Sequence, residues 1–305
     1  MAPRGRQQFL SFRASNKKIS WKNLIIISKN FKENMRDPFW KRKLKQIGKK
    51  FGYDFIDSNV PAELFPIILS NLSRNRKLST TQDQAFLYFS IDNFHKSKSQ
   101  ICQDLLVIFL TKNKNNGYFV EFGATNGITL SNTYLLEKDY HWSGILAEPA
   151  KGWFNQLNKN RNCSIDNRCV WSSTGKKLNF HESDVGELSS IKNYSDNDGH
   201  ADARAPGTDY FVESISLNDL LITHNAPKVI DYLSIDTEGS EFEILEKFDY
   251  ENYKINIITV EHNYTNSREK IYSLLKSKNY SRIFEGFSQW DDWYIRNDCI
   301  NFQKK

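Results

Sequence analysis

Residues 118–148, YFVEFGATNGITLSNTYLLEKDYHWSGILAE, contain a complete supersecondary unit. Tyr118, Phe119, Val120 and Phe122 make a short apolar and aromatic run of the kind that forms a buried strand. It stops in Gly123-Ala-Thr-Asn-Gly127, where two glycines permit a tight turn and let a ligand approach bare backbone. Leu130, Tyr134, Leu135 and Lys138 then recur at helical spacing, with Thr129 or Ser131 placed to cap the helix. A second apolar strand over 142–147 ends in Glu148. Strand, glycine turn, helix, strand and acid make half of a Rossmann-like nucleotide site. The turn offers amides and a helix N-terminus, and the acid can accept both hydroxyls of a ribose.

Dinucleotide binders space their glycines as G-x-G-x-x-G so that the backbone can reach a pyrophosphate. This turn reads Glu121-x-Gly123-x-x-x-Gly127, with an acid inside the strand end and no middle glycine. A carboxylate there repels a diphosphate and suits a cationic ligand. S-adenosylmethionine carries a sulfonium, an ammonium and a ribose but no phosphate, so it fits this turn better than a nicotinamide dinucleotide does.

Outward from this unit the chain reads as alternating strands and helices. Upstream, residues 64–72 and 83–94 have helical patterns, and Ser97-Lys-Ser-Gln100 has capping-box spacing before a helix carrying Ile101, Leu105, Leu106 and Phe109. Downstream, Pro149 opens a helix with Trp153, Phe154 and Leu157. Strands are expected over 163–171 and 177–181, then an irregular stretch over 183–209, long enough to serve as an acceptor-binding lid. Helices over 216–222, 241–248 and 267–277 alternate with strands over 229–235 and 255–260. Two last strands, 280–285 and 293–296, are joined by a loop alone. The pattern predicts an α/β fold with a mostly parallel sheet and an antiparallel edge hairpin.

Charge is divided unevenly. Residues 1–50 hold fifteen Lys and Arg against Glu33 and Asp37, net +13, so the remainder carries 6 − 13 = −7. Residues 1–16 are polar, basic and without periodicity, the composition of a disordered segment. Residues 17–35 can form an amphipathic helix. The organisation expected is a basic, helical extension over 1–95 and a catalytic domain over 96–305. The extension suits peripheral contact with an anionic membrane or an acidic partner; a solvated helical face explains the same residues. No apolar run reaches membrane-spanning length, and Cys102, Cys163, Cys169 and Cys299 form no C-x-x-C pair. Reduced thiols in a cytoplasmic protein are the expectation.

Ligands of open α/β sheets sit beyond the carboxyl ends of the strands. Four polar clusters fall there: Glu121 with the glycine turn, Glu148, Asp236-Thr-Glu238-Gly239, and Glu261-His262-Asn263. They gather five carboxylates and a histidine around one crevice, a repulsive set unless a proton, a metal or a cationic ligand intervenes. His262 is the neutral-pH base by intrinsic pKa. Asp236 or Glu238 can serve instead, directly or by holding Mg2+ or Mn2+; either can also cap the following helix. Tyr264, Trp290 and Trp293 are candidate sugar platforms, or core aromatics.

The pieces SQICQDL (from Ser99), YFVEFGATNGITLSNTYLLEK (from Tyr118), GILAEP (from Gly144), DYLSIDTEGSEFEIL (from Asp231) and VEHN (from Val260) resemble the FkbM family of S-adenosylmethionine-dependent methyltransferases. The resemblance covers residues 97–297. It implies a seven-stranded, Rossmann-like methyltransferase sheet and methyl transfer to oxygen, commonly on sugars or natural products. Carried onto this chain, it implies cofactor contacts from Glu121, Gly123, Ala124, Thr125, Asn126, Gly127, Ser131, Asn132 and Glu148. The residues themselves, at the ends of two strands expected to be neighbours, point to Asp236, Glu238 and His262 as the catalytic cluster. The function expected is O-methylation of a small-molecule or glycan acceptor, a sugar hydroxyl of a glycan or glycolipid precursor. Two rivals use the same features. A nicotinamide-dependent sugar oxidoreductase or epimerase is disfavoured by Glu121 and by Tyr250-x-x-x-Lys254 lying ahead of a strand. A nucleic-acid-binding module would rest on the basic arm alone.

Overall fold

The structure, a computed structural model, describes residues 81–192 and 201–299. The basic arm and the helices expected over 17–35 and 64–72 lie outside them. Helices α1 (Thr81–Asn93) and α2 (Gln103–Leu110) precede strand β1 (Tyr118–Phe122). Helix α3 (Tyr134–Tyr140), β2 (Ser143–Ala147), α4 (Lys151–Asn160) and β3 (Ser164–Asp166) follow. Next come β4 (Cys169–Trp171), β5 (Lys177–Ser183), β6 (Ser190–Ile191), the short α5 (Ala201–Arg204) and β7 (Gly207–Ser216). Then come α6 (Leu217–Thr223), β8 (Val229–Ile235), α7 (Glu241–Glu246), β9 (Lys254–Glu261), α8 (Ser267–Ser277), β10 (Tyr280–Ile283) and β11 (Asp291–Arg296). Among the described residues no helix is long and apolar enough to cross a membrane.

Seven strands form one sheet in the order β3-β2-β1-β8-β9-β11-β10. All run parallel except β11, which is antiparallel to both β9 and β10. The expected hairpin is therefore present at the edge, with its second strand slotted inside its first. The chain walks outward from β1 through β2 and β3, then returns to the other side of β1 as β8. That reversal opens a crevice above the carboxyl ends of β1 and β8.

Strand β1 shows why the sheet is buried on both faces. Val120 and Phe122 pack with Leu220 and Leu221 of α6, Leu245 of α7 and Leu275 of α8. Phe119 points the other way, into Leu105 and Leu106 of α2 and Leu136 of α3. Alternate residues of a parallel strand thus meet helices on both sides, which accounts for its near-continuous apolar run. Glu121 shares the Phe119 face and is buried too, so its carboxylate must find partners inside the protein.

Three expectations are corrected. The strand over 163–171 is two strands in different sheets. Asp166 accepts the amide of Arg168 at 3.0 Å and pairs with its guanidinium, and this turn sends the chain out of the large sheet. The stretch over 183–209 is not a bare loop: β7 begins inside it and pairs antiparallel with β5 from Ser183↔Gly207 to Lys177↔Glu213. Its Gly-Thr-Asp start has turn composition, and its pairing supplies the strand. The serines of the capping-box sequence do not cap α2. Ser97 and Ser99 instead donate to Asp104 at 2.6 and 2.7 Å, and α2 starts after Cys102 at φ +69°.

Candidate active site

A cavity of ≈ 250 Å³ opens where β1, β2, β8 and β9 end. Gly123, Thr125 and Glu148 line one side; Asp236, Glu238 and Glu261 line the other. Gly186 and Leu188, from the segment joining β5 to β6, and Ile191 of β6 form a third wall.

The glycine turn is tight for a measurable reason. Gly123 has φ +72°, and a Cβ there would lie 2.1 Å from the carbonyl oxygen of Asp236. Only glycine lets the turn meet the end of β8 so closely. Glu148, buried at the end of β2, accepts the amides of Thr125 and Ala150, both at 2.8 Å. Burial pushes its pKa up to about 7 against the pull of those two amides.

Glu121 also lines the cavity, yet its carboxylate is engaged within the protein. It accepts the amide of Asn132 at 2.6 Å, the hydroxyl of Ser131 at 3.1 Å and that of Thr133, and lies 3.8 Å from the Arg161 guanidinium. Burial raises its pKa; Arg161 and the donors oppose the rise. Asn132 donates to Ser234 of β8 at 2.9 Å and lines the cavity, while its buried Oδ1 has no partner. That oxygen is an acceptor available to a ligand's donor. Ala124, Asn126, Gly127 and Ser131 build the turn from behind and do not line the cavity.

At the opposite side, oxygens of Asp236, Glu238 and Glu261 all lie within 4.8 Å of one another. Burial, then Asp291, pushes the Asp236 pKa up to about 7. Burial, then Asp236, holds Glu261 well above the usual carboxylate range. Glu238 pairs at 2.7 Å with Arg204, whose side chain is wholly buried. Arg204 also donates to the Leu188 carbonyl at 2.8 Å, tying the third wall to the end of β8. An all-oxygen trio of this size suits a hard divalent ion such as Mg2+ or Mn2+. Against that, Glu238 is already matched by a guanidinium, and a proton eases the Asp236–Glu261 repulsion. Neither Asp236 nor Glu238 caps α7; Glu241 accepts the amides of Thr237 and Gly239 at 3.1 and 2.9 Å.

His262 is not brought to the cavity. Its Nδ1 accepts the Tyr264 amide at 2.9 Å, and its Nε2 lies 3.7 Å from Asp292, which Arg268 holds from the other side. The left-handed backbone of Asn263 and Tyr264, at φ +43° and +57°, folds the chain back over the ring. Burial lowers the pKa of His262, with Asp292 opposing. Of the three aromatics, Trp290 lines the cavity, Tyr264 is exposed and Trp293 is fully buried in the core. Arg161, Arg204 and Asp291 are the site's unanticipated members. Each lies in a polar or strand-like run that reads as surface, and only its burial marks it.

Residues 121–296 match the family model described as the methyltransferase FkbM domain. Similar solved structures include the precorrin-6y C5,15-methyltransferase of Geobacter metallireducens, at 8% identity over 63% of this chain and 85% of that one, TM-score 0.36. The O-methyltransferase of Bacillus cereus in complex with SAH is 10% identical over 74% of this chain and 95% of that one, TM-score 0.34. A methyltransferase of Pyrococcus furiosus is 14% identical over 71% and 98%, TM-score 0.31. Likenesses of this size add nothing to the strand order and the family match. No curated protein matches the chain.

Proposed function

The chain belongs to the FkbM methyltransferase domain family, and from that premise we propose that it transfers a methyl group from S-adenosylmethionine to a hydroxyl, on a sugar of a glycan or glycolipid precursor. One observation carries the reading: a single cavity joins the Gly123 turn and Glu148 to the Asp236–Glu261 carboxyl pair.

When bound, S-adenosylmethionine supplies an electrophilic methyl group on a sulfonium. Glu148 has the chemistry to accept its ribose hydroxyls, and the free Oδ1 of Asn132 to accept its ammonium. The amides and bare backbone of the Gly123 turn complete the cradle. The Asp236–Glu261 pair would be the base that takes the proton from the acceptor hydroxyl. The wall that Arg204 ties to Glu238 bounds the side of the cavity where an acceptor hydroxyl would be aligned.

Thr125, Asn132, Thr237, Ser189 and Asn263 line the cavity beside Phe122, Phe180 and Trp290, a mixture of hydrogen-bonding groups and aromatic side chains that suits a polyhydroxylated acceptor. No Lys, Arg or His among the described residues lines it, which favours an uncharged acceptor over a phosphorylated one. The reading extends to a reaction in the cytoplasm, with the net +13 of residues 1–50 available to an anionic membrane or partner. Calorimetry with S-adenosylhomocysteine and NADH, followed by transfer of labelled methyl from S-adenosylmethionine to neutral and phosphorylated sugars, tests it. Tight NADH binding without S-adenosylhomocysteine binding would overturn it in favour of the oxidoreductase.

A further inference from the structure

Arg161 follows α4 and carries a permanent charge, yet its side chain has no solvent exposure. Burying a guanidinium is costly unless its donors are matched. Here Nε donates to Glu137 at 2.7 Å, one terminal nitrogen to the Gly127 carbonyl and the Ser131 hydroxyl, both at 3.1 Å, and the other to Thr133 at 2.9 Å. Glu121 lies 3.8 Å away. Apart from Glu121, every one of these partners lies between residues 127 and 137, in the connection from the glycine turn to α3 and in the first turn of α3.

That connection needs an outside support. Residues 123–133 contain no helix or named strand, and Thr125, Gly127 and Leu130 sit at φ +46°, +79° and +59°. Backbone in those conformations persists where its surroundings impose it. A Cβ on Gly127 would lie 2.7 Å from Arg161 Cγ, so the glycine is where the arginine stem passes beneath the turn. The neighbouring Asn160 adds a bond from its side chain to the Asn126 carbonyl at 2.8 Å.

Arg161 does not line the cavity, while Gly123, Thr125 and Asn132 do. We infer that Arg161 is the positioning residue of the cofactor turn: its fork fixes the Gly127 carbonyl and the Ser131 and Thr133 hydroxyls, and through them the groups that face the cofactor. This rests on the S-adenosylmethionine reading above. It also makes Glu121 the arginine's counter-charge beneath the turn, bound to the same hydroxyls.

A purely structural role, neutralising Glu121, is separated by a double substitution. Arg161→Met keeps the stem and removes the fork; Glu121→Gln removes the carboxylate left behind. Glu137 retains Lys138 and the Asn162 amide at 2.8 and 3.0 Å. S-adenosylhomocysteine affinity and melting temperature are measured for wild type, Glu121→Gln, the double variant and Arg161→Lys. The double variant is expected to melt close to Glu121→Gln yet to bind roughly tenfold or more weakly than it, and Arg161→Lys, charged but unforked, to bind more weakly than wild type. Binding by the double variant equal to Glu121→Gln overturns the inference. If the double variant does not fold, Arg161→Lys decides: wild-type affinity overturns the inference, and weakened affinity at an unchanged melting temperature supports it. Absence of binding by wild type defeats the cofactor reading, and this inference falls with it.

Discussion

Asp236 and Glu261 stand side by side at the ends of adjacent parallel strands, one step beyond the paired residues Ile235 and Val260, with carboxyl oxygens within 4.8 Å. Both are pushed upward by burial and by carboxyl neighbours, so near neutral pH the pair holds a proton and titrates as a unit. A carboxyl pair poised there is a better base than an isolated surface carboxylate, because its affinity for a proton is higher.

Turnover should follow that pair. Asp236→Asn or Glu261→Gln is expected to lower kcat by about 10²–10⁴ while leaving S-adenosylhomocysteine affinity near wild type, since a base acts on the transition state. The reactive form is the one that has lost its proton, so kcat should rise with pH through the region near 7, where Asp236 titrates. His262→Asn should retain most activity; a loss as large as that of Asp236→Asn would return the base to the histidine.

Cofactor affinity should depend on pH through Glu148. Its pKa is raised to about 7, so protonation below that value removes the carboxylate proposed to accept the ribose hydroxyls. S-adenosylhomocysteine should bind more weakly at pH 6 than at pH 8 by calorimetry, and Glu148→Gln should flatten the dependence. Glu148→Ala is expected to cost roughly 2–4 kcal/mol at pH 8, from two charge-assisted bonds that are not fully additive.

Asp291, the first residue of β11, pairs opposite Glu261 of β9, is buried, and accepts Gln103 Nε2 at 2.9 Å. Burial raises its pKa to about 7. A carboxyl whose folded pKa exceeds its unfolded value near 3.9 binds its proton more tightly when folded. Its contribution to stability is therefore intact below about pH 4 and lost as pH rises through 7. Asp291→Asn should stabilise the protein by roughly 1–4 kcal/mol at pH 8. Denaturant midpoints at pH 8 and pH 4 should show the gain disappearing at the lower pH.

Chelation separates the two uses of the carboxyl trio. With Glu238 held by Arg204 and a proton between Asp236 and Glu261, EDTA is expected to leave turnover unchanged. Abolition by EDTA with rescue by Mg2+ or Mn2+ would assign the trio to a cation.

The sheet was readable because its signals are local. The apolar run at Tyr118, the two glycines and Glu148 lie within thirty-one residues, and each strand-end acid announces where a strand stops. What escaped depends on distant pairing or on side-chain direction. Arg161 sits in Asn-Lys-Asn-Arg-Asn, which reads as surface until the turn at Gly127, 34 residues earlier, folds onto it. Asp291 is buried because β11 inserts between β9 and β10. His262 sits at the right strand end with its ring turned the wrong way, which no periodicity reports.

The small sheet leaves the main chain path at Cys169 and returns at Ser216, and those ends are paired to each other, Cys169 opposite Ser214 and Trp171 opposite Ser216. A length of chain that departs and rejoins at one place can lengthen, shrink or be exchanged without changing the span that the large sheet must bridge. The whole third wall of the cavity lies within that loop-out, whereas the Gly123 turn, Glu148 and the carboxyl pair stand at the strand ends of the seven-stranded sheet. Recombination at its two ends would therefore give the same seven-stranded frame a different cavity wall, making this excursion the part of the molecule that evolution, or a protein engineer, can trade as a cassette.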